Sequence, residues 1–176
     1  MARYLFRNLL VVFVLLGALS AQTIPHVQAD TLSGNKIILP DAALGHPAIF
    51  TIGFSRAGGD STGRWGRELR KQFAGNSELR FYSVAVLRDA PKMVRGMIRH
   101  GMRGNIPKSE QDTFVLIYEG EDVWKNFAAF SGADDGYVIL MDSSGTVRAR
   151  AHGKAPDEQS IAVLKDALAK ISTHPR

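Results

Sequence analysis

The segment 55–63 combines glycines with hydroxyl and acidic side chains directly after a predicted strand. Its glycine spacing resembles that of a phosphate-binding loop, but Gly59 and Asp60 stand where that loop needs Lys and a hydroxyl residue, which excludes such a nucleotide site. A simpler anion or partner site stays open, because backbone N–H groups at a helix start attract anions. Alternatively, Asp60 or Ser61 caps those N–H groups in a plain turn. The candidate residues are Arg56, Gly58, Gly59, Asp60, Ser61, Thr62 and Arg64.

Ser61 has a glycine two residues away on each side, as the nucleophile of an α/β-hydrolase does. The bases to consider would be His100 and His152. The chain is short for that fold and its predicted elements occur in a different order, so no catalytic residue is assigned. A cysteine-independent enzyme that uses the 55–64 loop is kept as an alternative function.

Met93, Met97 and His100 project from one flank of a predicted helix. Thioether and imidazole groups together suit copper, so a copper-handling protein is a second alternative. Methionines on a helix flank also serve as core filler, which is the competing interpretation. We therefore assign no metal and no cofactor from the sequence, and keep these three residues as candidates.

Cations follow one side of the same helix and the turn before it. At about 100° per residue, this side lies opposite Val94, Met97 and Ile98. The pattern predicts either a solvated face opposite a buried one, or a contact surface for an acidic protein or, transiently, an anionic membrane surface. The basic residues are Arg88, Lys92, Arg95, Arg99 and Arg103.

The amino terminus predicts a cleavable signal peptide. Two arginines among the first seven residues precede an apolar run from Leu9 to Leu19, which is too short to span a membrane. An uncleaved anchor is the alternative. Cleavage fits after Ser20 or after Ala29, and we favour Ala29. The chain then divides into a signal peptide at 1–29 and one domain at 30–176, with an expected location in the periplasm.

Composition limits the possible chemistry. The 176 residues include no cysteine, so neither disulfides nor thiol redox reactions are available. A formal net charge of +5 is spread along the chain and does not indicate nucleic-acid binding. One domain of this size buries a core without disulfides. Whether it is a monomer or a weak dimer is left open.

Hydrophobic patterning predicts alternating strands and helices, and therefore an α/β fold with a mixed sheet. Helices are expected through Trp65 and Phe73, over 91–102 and 122–130, and from about 156. Strands are expected at 37–39, 46–54, 79–87, 113–118, 137–141 and 147–151, the first of them at a sheet edge.

This order of elements resembles the thioredoxin fold over about residues 35–172. The resemblance implies a sandwich with a mixed central sheet flanked by helices, and an extra strand and helix before the closing hairpin. Active members of that superfamily carry a CxxC pair where the first long strand meets the first helix, and a cis proline before the hairpin. Here Asp60 to Gly63 and Gly136 stand at those positions. The resemblance therefore implies the fold and not the activity.

Two branches of that superfamily without redox activity resemble this chain more closely. The segment Gly136 to Gly145, with Val147, Arg148 and Gly153 after it, is similar to the carboxy-terminal block of the mitochondrial ATP synthase assembly factor family. The export signal and the order of elements also resemble small periplasmic thioredoxin-like proteins of enteric bacteria. These resemblances imply a non-enzymatic assembly or accessory factor that contacts an unidentified envelope protein through the 55–64 loop and the basic helix.

Overall fold

One seven-stranded sheet organises the residues that the computed structural model describes, 23–88 and 90–173. The helices are α1 (Arg56–Gln72), α2 (Lys92–Arg103), α3 (Glu121–Ala128) and α4 (Glu158–Thr173). The strands are β1 (Val27–Thr31), β2 (Lys36–Leu39), β3 (Ala48–Gly53), β4 (Arg80–Val86), β5 (Phe114–Ile117), β6 (Gly136–Met141) and β7 (Val147–Gly153).

The strand order is β2-β1-β5-β4-β3-β6-β7. The three central strands β5, β4 and β3 run parallel, and every other pairing is antiparallel. This confirms the α/β fold with a mixed sheet. It also confirms the extra strand and helix, β5 and α3, before the closing hairpin of β6 and β7.

Side chains alternate between the two faces of the sheet, and each face has its own core. On one face, α1 and α4 place Trp65, Leu69 and Leu164 against Ile49 and neighbouring strand residues. On the opposite face, α3 packs aromatic residues against β3, β4 and β6. Helix α2 lies on the same face as α1, over β5, so the sheet is covered on both sides.

The amino-terminal end of the described chain belongs to the fold. β1 pairs with both β2 and β5, and Ile24 is buried in the core next to it. Ala29 is buried within β1 opposite Ile37, so cleavage after Ala29 would divide a strand. This placement favours the other position, Ser20, which lies outside the described residues, as does most of the predicted signal peptide. Among residues 23–88 and 90–173, no helix is long and apolar enough to cross a membrane.

Candidate functional site

Helix α1 begins at Arg56, so the predicted glycine-rich loop is in fact the first two turns of a helix. Ser55 is the N-cap, and its Oγ accepts a hydrogen bond from the N–H of Gly58 at 2.9 Å. Gly59 N–H then donates to Ser55 O at 2.8 Å, which starts the helical ladder. The predicted caps Asp60 and Ser61 lie inside the helix. The predicted anion site on N–H groups 59–63 is therefore wrong, because helical hydrogen bonds occupy those groups.

Three glycines allow α1 to lie directly against the sheet. A Cβ at Gly136 would come within 2.8 Å of Thr62 N, and one at Gly53 within 2.9 Å of Thr62 Oγ1. A Cβ at Gly58 would come within 2.6 Å of Ala133 O. Real Cβ atoms do not approach other atoms this closely. Glycine is thus required on the helix, at the end of β3 and at the start of β6.

Residues 131–136, which we call the sealing segment, close over the start of α1. Ser61 is 1% exposed, and its Oγ donates to Asp134 O at 2.7 Å. Ser55 Oγ donates to Ala133 O, also at 2.7 Å. Arg64 covers the same place, because its Nη2 donates to Ser61 Oγ at 2.9 Å and its Nε to Lys154 O at 2.7 Å. The Ser61 hydroxyl is therefore a structural group held by carbonyls and a guanidinium, without an imidazole base.

His152, on β7, contacts the sealing segment and not Ser61. Its Nδ1 lies 3.1 Å from Asp135 Oδ2 and 3.5 Å from Ser131 Oγ. A catalytic triad needs the carboxylate on one ring nitrogen and the hydroxyl on the other, whereas both contacts here are on Nδ1. The His152 ring stacks on Tyr137, whose hydroxyl accepts the N–H groups of Ser131 and Gly132 at 2.8 Å each. These contacts hold the sealing segment in place.

The basic side of α2 turns partly inward. Arg103 donates from Nε to Leu32 O at 2.6 Å and from Nη2 to Ser33 O at 2.5 Å. Arg95 donates from Nε to Ala90 O at 2.9 Å, and its guanidinium lies 4.5 Å from the ring centre of Tyr118. These two arginines attach α2 to the domain, with Arg95 half-buried and Arg103 still exposed. Their guanidinium groups are thus partly engaged within the domain, and the five-residue basic face stays a prediction.

The other three members of the predicted basic face differ in exposure. Arg88 and Lys92 are exposed, and Arg88 Nε lies 3.6 Å from Glu121 Oε2. Arg99 is half-buried. Of the five predicted basic residues, Arg88, Lys92 and Arg103 are therefore exposed.

The outer side of α2 carries methionines. Met93 is 95% exposed and Met97 75%, His100 is exposed, and α2 has no buried residue. The interpretation of the methionines as core filler is therefore wrong for Met93 and Met97, while Ile98 does pack against the core that includes Leu116. The helix therefore turns Ile98 and the half-buried Met102 inward, and not Met97.

Two titratable groups near these elements are perturbed. Burial raises the pKa of Tyr118, and the Asp30 charge adds to this, so the phenol under Arg95 stays neutral. Asp142 is buried in the β6–β7 turn, which alone would raise its pKa. Hydrogen bonds from Ser144, Thr146 and Arg148 outweigh burial and lower the pKa of this carboxyl. The predicted hairpin turn at 142–145 is confirmed, with Gly145 at a φ of 88°.

Solved structures share this arrangement of strands and helices. BsSco, described as a member of the Sco family of cytochrome c oxidase assembly proteins, has a TM-score of 0.59 over 86% of this chain and 95% of its own, at 12% identity. A putative thiol:disulfide interchange protein DsbE from Chlorobium tepidum has a TM-score of 0.56 over 86% and 96%, at 18% identity. The fold is thioredoxin-like.

A third thioredoxin-like structure gives the same result. The thioredoxin domain of a thiol-disulfide oxidoreductase from Bacteroides vulgatus has a TM-score of 0.54 over 85% of this chain and 95% of its own, at 17% identity. No protein-family model and no curated protein matches the chain. At these identities the likeness establishes the thioredoxin-like fold alone. Membership of either of the two families that the sequence resembles stays a prediction.

Proposed function

We propose that this chain is an exported, redox-inactive thioredoxin-like domain that works by contact with an envelope protein, as an assembly or accessory factor. Two features support the redox-inactive part. The sequence has no cysteine, and thiol–disulfide exchange requires a thiolate. Near the start of α1, Ser61 is also buried and bonded to the sealing segment, which leaves no open cleft at that side chain.

The exposed face of α2 is the observation that carries the contact role. We call Met93, Met97 and Val94 the methionine face. Soluble domains rarely leave large apolar side chains of one helix in water without a use, and flexible methionine side chains adapt to many binding surfaces. The methionine face is thus better explained as a contact surface than as core filler.

Charge around the methionine face indicates the chemistry of the partner. Lys92 and Arg88 lie exposed at its amino-terminal end, and α2 contains no acidic residue. A partner with an apolar centre and carboxylates at its rim would complement both features. We propose a protein of that kind as the occupant. Binding to an anionic membrane surface is the competing outcome of the test below.

Cellular location and oligomeric state are part of the same proposal. A cleaved signal peptide would place the domain in the periplasm, and the position of β1 supports cleavage after Ser20. We propose a monomer or weak dimer. The outer edge of the sheet at β2 is only four residues long and starts with Lys36, which limits strand pairing with a second copy.

A capture experiment from the envelope fraction tests this function. The double variant Met93→Glu/Met97→Glu should lose a partner that the parent domain recovers at stoichiometric level. Val163→Glu is the matched control, because Val163 is also an exposed apolar residue but lies on α4. Equal recovery by parent and double variant would overturn the proposal. So would binding of the parent to anionic vesicles without any protein partner.

Substituting Arg95, Arg99 and Arg103 would be a poorer test. Arg95 and Arg103 hold α2 on the domain, so a loss of binding after their replacement would not separate contact from folding. The cysteine-independent enzyme is not supported, because Ser61 is buried and has no base. The copper alternative has separate support, given next.

A further inference from the structure

The same helix presents a set of soft ligands that protein contact does not require. Met93, Met97 and His100 are spaced i, i+4 and i+7, which places all three within an arc of about 60° around the helix axis. All three are exposed, so their side chains are free to turn toward one point outside the helix. We propose that these three residues bind one Cu(I) ion through two thioether sulfurs and one imidazole nitrogen.

The ligand set selects the metal. Thioether sulfur is a soft ligand that favours Cu(I), and imidazole also suits copper, whereas Mg²⁺, Ca²⁺ and Mn²⁺ need oxygen ligands. Helix α2 offers no carboxylate. Within residues 23–88 and 90–173, moreover, no three His, Asp or Glu side chains come together to hold a metal ion. The site therefore has the chemistry of a soft monovalent ion and not of a hard divalent one.

Two cations of α2 turn their guanidinium groups away from the proposed site, while Lys92 stays exposed beside Met93. The guanidinium groups of Arg95 and Arg103 are drawn toward the domain by Ala90, Leu32 and Ser33 carbonyls, away from the outer side of the helix. Methionine adds three rotatable bonds per ligand, so the two sulfurs reach a common position without a change in the backbone. Binding would then order side chains that are solvent-exposed without metal.

Copper binding goes beyond the proposed function, and an experiment can disprove either one without disproving the other. Protein contact needs the apolar surface of the methionine face, which leucine also provides. Copper binding needs the sulfur atoms, which leucine lacks. The double variant Met93→Leu/Met97→Leu therefore removes the proposed site and keeps the apolar surface.

The experiment titrates Cu(I) without oxygen into the mature protein, in competition with a chromogenic Cu(I) chelator. We expect one equivalent to bind with submicromolar affinity, and Met93→Leu/Met97→Leu to weaken binding on the order of 100-fold. His100→Asn should weaken it less. Met102→Leu is the matched control, because Met102 is half-buried against the core. Circular dichroism checks that each variant is folded.

Nuclear magnetic resonance of methionine methyl groups locates the ion. Cu(I) should shift the methyl signals of Met93 and Met97 and leave that of Met141, which is completely buried in β6. The proposal is overturned if no saturable uptake occurs below micromolar concentration. It is also overturned if Met93→Leu/Met97→Leu binds as tightly as the parent domain, or if the two methyl signals do not move.

Discussion

Gly58 lies so close to Ala133 that a Cβ added to the glycine would come within 2.6 Å of the alanine carbonyl oxygen. Further along the same helix, a Cβ at Gly66 would meet nothing within 4 Å. Packing therefore requires glycine at position 58, whereas glycine at position 66 only weakens the helix.

We expect opposite effects when each of these glycines becomes alanine. Gly58→Ala should lower the free energy of unfolding by about 1–3 kcal/mol, because α1 or the sealing segment must shift. Gly66→Ala should raise it by about 0.5–1 kcal/mol, because alanine favours the helix. Urea unfolding followed by circular dichroism measures both. A stabilised Gly58→Ala variant would contradict the close packing of α1.

Single cysteines can measure how completely the sealing segment covers the start of α1, since the parent chain has no cysteine. Ser61→Cys places a thiol at a position that is 1% exposed, and Asp60→Cys places one at an exposed neighbour. We expect the thiol at position 60 to react with a disulfide reagent on the order of 100-fold faster. Similar rates would mean that the sealing segment does not close over α1.

Arg103 should matter for stability and Lys92 should not. Arg103→Ala removes two charge-assisted hydrogen bonds to the Leu32 and Ser33 carbonyls, at a cost of about 1–2 kcal/mol for this partly exposed contact. It should also speed amide hydrogen exchange in α2. Lys92→Ala is the control, because Lys92 is exposed at the first position of α2. Equal exchange in both variants would count against the anchoring role of Arg103.

The lowered pKa of Asp142 predicts that the domain loses stability in acid. Its pKa in the folded domain is below the ordinary value of 3.8, so the charged carboxylate stabilises the fold above that pH. The stabilisation is lost as the pH falls through the lower, folded-state pKa. Asp142→Asn should cost about 1–3 kcal/mol at neutral pH and show a flatter decline below about pH 4. Asp60→Asn, an exposed substitution on α1, should decline like the parent.

The mature amino terminus should begin shortly after Ser20. Cleavage after Ala29 would remove the buried Ile24 and the first three of the five residues of β1, and would leave part of the β2 edge without its partner. Intact mass measurement of the protein recovered from the envelope fraction distinguishes the two positions. A mass that corresponds to a chain starting at Asp30 would contradict this prediction. As a further check, a shortened variant that starts at Asp30 should unfold at a lower temperature.

Most of the fold could be predicted from the sequence because its strands are apolar runs. β3 and β6 are buried along their whole length, and such runs leave little choice of secondary structure. β1 was missed because Gln28, Asp30 and Thr31 give it no hydrophobic signal. Its place in the sheet depends on partners far along the chain, at Leu116 and Val115.

The candidate sites were harder to predict because tertiary contacts override local preferences. Four glycines between 58 and 66 weigh against a helix, yet Gly58 is needed there by the sealing segment about 75 residues later. For α2, the charge pattern predicted that Met97 lies on the buried side of the helix, whereas Met97 is exposed and Ile98 packs inward. Backbone carbonyls at Leu32 and Ser33 and the ring of Tyr118 attract arginines, and a single sequence does not show that these groups are near.

The close approach of α1 to β3 and β6 bears on evolutionary reversibility. A substitution can supply a cysteine, but it does not by itself open the surface around that residue. Ser61 is 1% exposed and bonded to Asp134, and a Cβ at Gly136 would come within 2.8 Å of Thr62 N. A thiol introduced at position 61 would therefore stay covered unless residues 131–136 moved with it, so one change of side chain would not make this part of α1 reactive.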